Sequence, residues 1–174
     1  MADPGAVAKR SLAPIVPTTL HALVLGSLPS DQSLAKGEYY GNPRNRFWFV
    51  MAACGVIESA RAPYRQRIRS LTRRGVGLWD LYASAMRPGS SDSAIRRQVA
   101  NDIGALWEQR GPFTILLNGK RLREWRRHFA GIPAEPVELP STSPRPLHWN
   151  ESESTKRAVA AWRTALRSAG VTIS

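Results

Sequence analysis

The sequence has little of what binds metals or forms disulfides. Its 174 residues contain one cysteine, Cys54, and three histidines, His21, His128 and His148. One cysteine excludes a disulfide within the chain and a cysteine-rich metal site, and three histidines are few for a zinc or iron site. The sequence therefore predicts a protein without a bound metal.

Long apolar runs are also absent. The longest is much shorter than the roughly 20 residues that cross a membrane, and no charged and then apolar leader precedes a cleavage site. Neither of the glycine-rich phosphate motifs, Gly-x-x-x-x-Gly-Lys or Gly-x-Gly-x-x-Gly, follows a strand-like run. We therefore expect a cytoplasmic protein with no membrane segment and no nucleotide cofactor.

Acidic residues are scarce. The chain has 13 Asp and Glu against 25 Lys and Arg, which gives a net charge of +12 and favours a polyanionic partner. The codon usage of a GC-rich genome explains the preference for arginine over lysine equally well, but it does not explain the net charge. Hydrophobic residues make up 43% of the chain, as in a folded globular protein. We expect one domain over residues 15–174, preceded by a flexible lead-in over residues 1–14.

Apolar runs that end in turn residues predict four strands, at residues 22–26, 75–80, 113–118 and 137–139. Helical patterns lie between and after these strands. They cover residues 47–56, a stretch that begins at residue 63, residues 93–108, a basic stretch that follows residue 119 and ends at residue 129, and residues 150 to about 168. Asn45 fits the N-cap of the first helix, and Asn150-x-x-Glu153 fits a capping box of the last. Strands that alternate with helices predict an α/β fold, a three-layer sandwich whose central, mainly parallel four-stranded sheet lies between helices.

In a parallel sheet of this kind, functional residues lie beyond the carboxyl ends of the strands. The segments that follow the four predicted strands are residues 27–46, 80–91, 118–120 and 141–149. They contain amides, hydroxyls, tyrosines and arginines, which suit a site that reads a polar planar group beside phosphates.

Four motifs occur in the order and spacing of a known family. They are LVLGSLPS, GEYYGNPRNRFW, GLWDLYASAMRPGSSDSAI and LPSTSPRP, within residues 23–162. The chain resembles the uracil-DNA glycosylase superfamily and, within it, the hypoxanthine-DNA glycosylase (deoxyinosine glycosylase) branch. The Asn-Arg-Phe-Trp run and the Ser-Thr-Ser-Pro loop are fairly specific, whereas the strand matches alone are not. The resemblance implies a parallel four-stranded sheet between helices. It also implies cleavage of the N-glycosidic bond of a damaged base flipped out of duplex DNA, with no cofactor and no metal.

The resemblance implies an unusual catalytic residue. The superfamily normally has an aspartate or asparagine before a proline after the first strand, where it positions or activates water, but Leu28 holds that position here. The hypoxanthine branch relies on an asparagine further along, for which the candidates are Asn42 and Asn45. We favour Asn42 because Gly41 and Pro43 hold its backbone extended, whereas capping is a sufficient reason for Asn45. An amide is not a base, so its role would be to orient water.

The resemblance also implies a base pocket. Tyr40 lies where the family places the aromatic residue that stacks on the flipped base; the alternative is an ordinary tyrosine of an extended segment. Gly26 and Ser27, at the end of the first strand, complete the expected pocket.

Asp80 ends the second strand, where the superfamily often has an asparagine that hydrogen-bonds the base. An ionised carboxylate only accepts hydrogen bonds. It therefore suits a base that offers a ring N–H, such as N1–H of hypoxanthine or N3–H of uracil. The alternative is a structural acid that pairs with Arg46 or Arg87.

The Ser-Thr-Ser-Pro segment occupies the place of the second superfamily motif, whose loop enters the minor groove. Ser143 would bind phosphate and Arg145 would be the wedge, whereas Ser141 replaces a histidine that stabilises the leaving base in several relatives. A simple turn is the alternative interpretation. Together with the helix after the third strand, the predicted DNA-binding residues are Ser141, Thr142, Ser143, Arg145, Lys120 and Arg121.

These expectations predict a monofunctional DNA glycosylase that excises hypoxanthine, or else uracil or xanthine, and starts base-excision repair. Its partner would be double-stranded DNA, with single strands as an alternative, and we expect a monomer that associates with the nucleoid when it acts. A catalytically weak or inactive DNA-binding relative is the alternative function, as Leu28 and Ser141 would permit. A small-molecule nucleoside hydrolase is disfavoured by the net charge and by the lack of an aspartate cluster for ribose and metal.

Overall fold

The computed structural model describes residues 8–90, 93, 95–120, 122–144 and 152–174. Seven strands lie in this part of the chain: β1 (Ala8–Arg10), β2 (Ala22–Gly26), β3 (Val76–Asp80), β4 (Tyr82–Met86), β5 (Arg96–Ala100), β6 (Thr114–Asn118) and β7 (Val137–Leu139). Its helices are α1 (Asp31–Lys36), α2 (Phe47–Ala53), α3 (Tyr64–Arg73), α4 (Ile103–Arg110), α5 (Leu122–Trp125) and α6 (Ser152–Ser168), and a 3₁₀ turn over Arg126–Phe129 follows α5.

Four strands form the central sheet in the order β3-β2-β6-β7, and every neighbouring pair is parallel. The register pairs Gly26 with Asp80 and Asn118 with Leu139 at the carboxyl ends of the strands. The segments that follow these strands therefore meet at one edge of the sheet, as the sequence predicts.

The strand β2 is buried on both faces. Ala22, Leu23, Val24 and Leu25 are all 0% exposed, which is the pattern of a central parallel strand. Ala22 and Val24 belong to one hydrophobic cluster, and Leu23 and Leu25 belong to another. The two clusters separate because successive side chains of a strand point to opposite faces of the sheet.

Helices cover both faces of the central sheet. On one face, α2, α3 and α6 contribute Phe47, Leu71 and Trp162 to the first cluster. On the other face, α4 and α5 contribute Ile103 and Trp125 to the second cluster. The predicted three-layer α/β sandwich with a parallel four-stranded sheet is confirmed.

A second, antiparallel sheet of order β1-β4-β5 is not predicted by the sequence. The prediction of a helix over residues 93–108 is wrong in its first half, because β5 lies there and α4 begins only at Ile103. The side chain of Asp102 accepts a hydrogen bond from Ala105 N–H (2.9 Å). This bond satisfies one of the N–H groups that lack a partner at a helix start, and it sets the beginning of α4.

The amino-terminal segment belongs to the domain from residue 8 onward. The strand β1 pairs with β4, and Lys9 is only 7% exposed. The Lys9 ammonium donates to the Asp31 carboxylate and to the Gly89 carbonyl. Residues 8–10 are therefore part of the antiparallel sheet, residues 1–7 lie outside the described part of the chain, and the bounds of the flexible lead-in stay a prediction.

Some helix boundaries also differ from the prediction. The helix α2 ends at Ala53, and the basic helix after β6 is split into α5 and the 3₁₀ turn. The short helix α1 lies in a segment for which the sequence predicts no helix. It starts after Ser30, whose Oγ accepts from Ser33 N–H (3.2 Å). The helix α6 ends at Ser168 as predicted, and Asn150 of the expected capping box lies outside the described residues. None of the described helices has the length and apolarity to cross a membrane.

Candidate active site

An open cavity of about 840 Å³ lies at the carboxyl edge of the central sheet. Each of the four strands, or the segment after it, contributes to the cavity wall. The lining includes Gly26, Ser27, Leu28, Tyr40, Asn42, Arg44, Asn45, Asp80, Asn118, Ser141 and Ser143. The cavity therefore gathers the predicted base-binding residues and both catalytic candidates.

Asp80 lies in the cavity wall at the end of β3 and is 4% exposed. A Cβ on Gly26 would lie 2.8 Å from Asp80 Oδ1, so glycine is needed for the carboxylate to lie there. Ser11 Oγ donates to Asp80 Oδ2 (3.1 Å), and Asn101 Nδ2 donates to the Asp80 backbone carbonyl (2.8 Å). The carboxylate is thereby held beside the end of β2.

The two arginines considered as partners of Asp80 have different surroundings. Arg87 is 1% exposed, and its guanidinium donates to the carbonyl oxygens of Leu28 (3.2 Å) and Pro29. Arg46 has an exposed side chain. Leu28, at the position of the usual catalytic acid, is 6% exposed and packs in the second hydrophobic cluster. The Arg87 side chain thus stabilises the segment after β2 by hydrogen bonds to the backbone carbonyls of that segment.

Tyr40 connects the cavity to the core. Its ring stacks on Phe47 with 3.9 Å between the ring centroids and an interplanar angle of 20°, so Phe47 covers one face of the ring. Burial raises the pKa of Tyr40 above its usual value of 10; a hydrogen bond with the Asn118 side chain opposes this rise, and the negative charge of Asp80 adds to it. The Tyr40 hydroxyl therefore stays protonated at neutral pH.

Asn118 ties the Ser-Thr-Ser segment to the end of β6. Its Nδ2 donates to Thr142 Oγ1 (2.8 Å), and its Oδ1 accepts from Thr142 N–H (2.9 Å). The Thr142 carbonyl accepts from Arg46 N–H (2.9 Å). Thr142 is 0% exposed, and its buried hydroxyl holds the segment in place. Its role in DNA binding stays a prediction.

Two polar residues of this site were missed by the sequence analysis. Asn118 ends a predicted strand at the functional edge of the sheet, and that position was the signal that could have identified it. Ser11 lies in the segment that we expected to be flexible, and nothing in the sequence connects it with Asp80.

The two candidate catalytic amides are alike in their local hydrogen bonds. Asn42 Oδ1 accepts from Arg44 N–H, and Asn45 Oδ1 accepts from Phe47 N–H, each at 2.9 Å. Phe47 is the first residue of α2, so Asn45 satisfies a free N–H of that helix. The predicted N-cap is displaced by one residue, because Arg46 holds the N-cap position and its side chain makes no capping hydrogen bond. An amide oxygen has a second lone pair and an amide nitrogen has two N–H groups, so either side chain can also bind a water.

A protein-family model, described as the uracil DNA glycosylase superfamily, matches residues 13–167. The chain belongs to the uracil DNA glycosylase superfamily. It is therefore a DNA N-glycosylase, a hydrolase that acts on N-glycosidic bonds in DNA, as the resemblance of its motifs implies.

Curated and solved relatives agree with this assignment. A hypoxanthine DNA glycosylase of Methanosarcina acetivorans is 33% identical over 78% of this chain and 86% of its own length. A protein of the same description from Methanosarcina barkeri is 31% identical over the same shares. A solution NMR structure from Methanosarcina acetivorans, described as a candidate uracil DNA glycosylase, superposes with a TM-score of 0.76. The two chains are 30% identical in sequence, and the matched region covers 91% of this chain and 99% of the Methanosarcina chain.

The structure describes only some of the predicted DNA-binding residues of this glycosylase. Ser141 and Ser143 line the cavity, and Ser141 Oγ accepts from Ser143 N–H (3.2 Å). Lys120 is exposed just after β6. Arg121 and Arg145 lie outside the described residues, so their roles stay predictions. In the part of the chain that is described, no group of three or more His, Cys, Asp and Glu side chains is placed to hold a metal ion.

Proposed function

We propose that this glycosylase excises hypoxanthine from double-stranded DNA, leaves an abasic site and so starts base-excision repair. The observation that carries the proposal is the buried carboxylate of Asp80 in the wall of the cavity. The descriptions of the two Methanosarcina relatives support the same substrate. Uracil and xanthine are the other bases that we consider.

Recognition of the base would depend on what Asp80 accepts. Hypoxanthine carries a proton on N1, next to its 6-oxo group, and an ionised carboxylate accepts from that N1–H. Adenine, from which hypoxanthine arises by deamination, has an unprotonated N1 that cannot donate to a carboxylate. A backbone N–H would serve the 6-oxo group, because Asp80 offers no donor. Uracil presents a similar N–H beside a carbonyl, which is why it remains the second base.

The flipped base would stack on Tyr40. Phe47 lies against one face of the Tyr40 ring, and the tyrosine lines the cavity. Stacking of a base on an aromatic ring contributes about 1–3 kcal/mol, which offsets part of the cost of about a few kcal/mol of flipping the base out of the duplex.

The reaction is a hydrolysis at C1′ of the deoxyribose. The bond between C1′ and N9 of the purine breaks and its electron pair stays with the base, while the oxygen of a water forms a bond to C1′. One proton of that water remains on the new hydroxyl of the abasic sugar, and the other balances the protonation of the departing hypoxanthine. Asn42 would orient the attacking water, since neither Leu28 nor an amide can act as a base at neutral pH.

The leaving base receives less help here than in relatives that carry a histidine, because Ser141 cannot bear a positive charge. Hypoxanthine leaves as a larger, better delocalised anion than uracil does. The presence of a serine at this position therefore favours a purine substrate over a pyrimidine.

The proposal is tested with duplexes that carry one deoxyinosine, deoxyuridine or deoxyxanthosine, incubated with the protein in EDTA and then cleaved at abasic sites with alkali. We expect strand breaks at deoxyinosine that exceed those at the other two bases. Breaks chiefly at deoxyuridine would overturn the substrate assignment while leaving the enzyme class intact.

A catalytically weak DNA-binding relative is the second candidate function, because Leu28 is a buried core residue at the position of the usual catalytic acid. Tight binding of the deoxyinosine duplex with no product under single-turnover conditions would favour this candidate.

A further inference from the structure

Tyr40 has an unusual backbone conformation. Its φ is 55°, and only one other non-glycine residue of the described chain, Arg97, has a positive φ. In this left-handed region the side chain of an L-residue crowds the following carbonyl oxygen, which destabilises the conformation. Such a conformation persists only where neighbouring contacts hold it, and it is typical of functional sites.

The backbone amides on both sides of Tyr40 bond to side-chain hydroxyls. Tyr39 N–H donates to the hydroxyl of Tyr64 (3.0 Å). Gly41 N–H donates to Ser33 Oγ (3.0 Å). The residue with the left-handed conformation therefore lies between two fixed points, one from α3 and one from α1.

The Ser33 anchor is itself well fixed. Ser33 is 3% exposed, and Ser30 Oγ donates to Ser33 Oγ (3.1 Å) while it accepts from Ser33 N–H (3.2 Å). From the last turn of the same helix, Lys36 Nζ donates to the Gly41 carbonyl (2.8 Å). The helix α1 thus holds both the N–H and the carbonyl of the residue after Tyr40.

The Tyr64 anchor is fixed by its ring. Tyr64 packs edge-on against Trp48, with 5.8 Å between the ring centroids. The guanidinium carbon of Arg67 lies 4.6 Å from the ring centroid of Trp48 and 5.6 Å from that of Tyr64. These contacts hold the Tyr64 hydroxyl beneath the segment that carries Tyr40.

We propose that Ser33 and Tyr64 are positioning residues for base excision. Their hydroxyls hold Tyr40 in the left-handed conformation that presents its ring to the flipped base, and the turn that begins there brings Asn42 to the cavity. This inference rests on the proposed function, because it takes Tyr40 as the stacking residue and Asn42 as the water-orienting amide. Neither hydroxyl needs to touch DNA for this role.

The test compares Ser33→Ala and Tyr64→Phe, each of which removes one oxygen atom, with wild type. Thr72→Val is the matched control, because the Thr72 hydroxyl also lies on α3 but donates to the Ile68 carbonyl of its own helix (2.9 Å). The measurements are the single-turnover excision rate at saturating enzyme and the Kd for an undamaged duplex of the same length.

Each anchor variant should excise hypoxanthine from the deoxyinosine duplex at a rate at least roughly 10-fold lower than that of wild type, because small misplacements of reacting groups reduce rates strongly. The Kd for undamaged DNA should stay within about twofold, and Thr72→Val should match wild type. In a Tyr40→Ala background, Ser33→Ala and Tyr64→Phe should slow excision less than they do in wild type, because residues that act through one another are not additive. Unchanged rates in either anchor variant, or full additivity with Tyr40→Ala, would overturn the positioning role.

Amide hydrogen exchange without DNA checks the anchors independently of activity. The Gly41 amide should exchange faster in Ser33→Ala, and the Tyr39 amide should exchange faster in Tyr64→Phe. A wild-type protein that cleaves none of the three damaged duplexes contradicts the proposed function and, with it, the catalytic meaning of the anchors. If both variants excise the base as fast as wild type and the Gly41 and Tyr39 amides exchange at unchanged rates, the positioning role of Ser33 and Tyr64 is contradicted while the proposed function stands.

Discussion

The Asp80 carboxylate occupies the space that a side chain on Gly26 would need, since a Cβ there would lie 2.8 Å from Asp80 Oδ1. The two residues are register partners at the carboxyl ends of neighbouring parallel strands, β2 and β3. The contact is therefore fixed by the sheet itself. A substituent on Gly26 must displace the group that we propose as the acceptor of the base N–H.

Gly26→Ala should lower kcat/KM for the deoxyinosine duplex by roughly 10- to 100-fold, because a hydrogen bond to a charged group contributes about 1.5–3 kcal/mol. Gly104→Ala on α4 is the control, since a Cβ there would lie 3.3 Å from Asp102 Oδ1, a tight contact with a residue that does not line the cavity, and its activity should match wild type. Steady-state excision kinetics measure both. Full activity of Gly26→Ala would show that Asp80 need not keep this position.

Asn42→Ala should reduce the single-turnover excision rate by about 100-fold, as expected when a reacting water loses its orientation, and should leave the Kd for undamaged DNA unchanged. Asn45→Ala should instead lower stability by about 1 kcal/mol, because it removes the acceptor of the Phe47 N–H. That loss corresponds to a fall in Tm of about 2–4 °C. A stable but inactive Asn45 variant, beside an active Asn42 variant, would reverse the assignment.

The central sheet could be predicted from the sequence because three of its four strands, β2, β3 and β6, are mostly buried on both faces. Continuous apolar runs such as residues 22–26 leave few alternatives to a strand in a parallel sheet. The functional edge followed from the same rule, and Gly26, Tyr40 and Asp80 do line one cavity. Local pattern was sufficient here because burial dominates the choice of residues.

The antiparallel sheet could not be predicted because its strands lack that burial. Arg96, Arg97, Gln98 and Val99 of β5 are all exposed, and their strand conformation depends on pairing with β4. The contact between Ser11 and Asp80 joins residues 69 positions apart. Neither feature has a periodic signature in the sequence.

Thr142→Val should lower both stability and activity. Valine keeps the shape of the buried side chain but removes the oxygen that accepts from Asn118 Nδ2, and an unsatisfied buried donor costs about 1–3 kcal/mol. Asn118 also bonds to the Tyr40 hydroxyl, so the stacking tyrosine should lose part of its support. Urea unfolding and single-turnover excision measure the two effects, and Thr18→Val, at an exposed position, should show neither.

Lys120→Gln should weaken DNA binding in a salt-dependent way if this exposed lysine contacts a phosphate. The slope of log Kd against log salt should then fall by about 0.9, the value for one phosphate contact on duplex DNA. Lys156→Gln is the control, since Lys156 pairs with Glu153 on α6 (3.5 Å). An unchanged slope in Lys120→Gln would remove this lysine from the DNA interface.

The ionised carboxylate of Asp31 should stabilise the fold near neutral pH and lose this contribution in acid. The hydrogen bond from Lys9 lowers the pKa of Asp31 below its usual 3.8, and desolvation by burial opposes this shift. A carboxyl group with a lowered pKa in the folded state stabilises the fold above its unfolded pKa and loses that contribution as the pH falls through the folded value. The difference in unfolding free energy between wild type and Asp31→Asn should therefore be constant near neutral pH and shrink below pH 3.8. Urea unfolding at constant ionic strength measures this difference. Glu153→Gln is the control and should change stability little at any pH, because its ion pair with Lys156 is exposed. If the stability difference for Asp31→Asn stays undiminished in acid, Lys9 does not hold the Asp31 carboxylate.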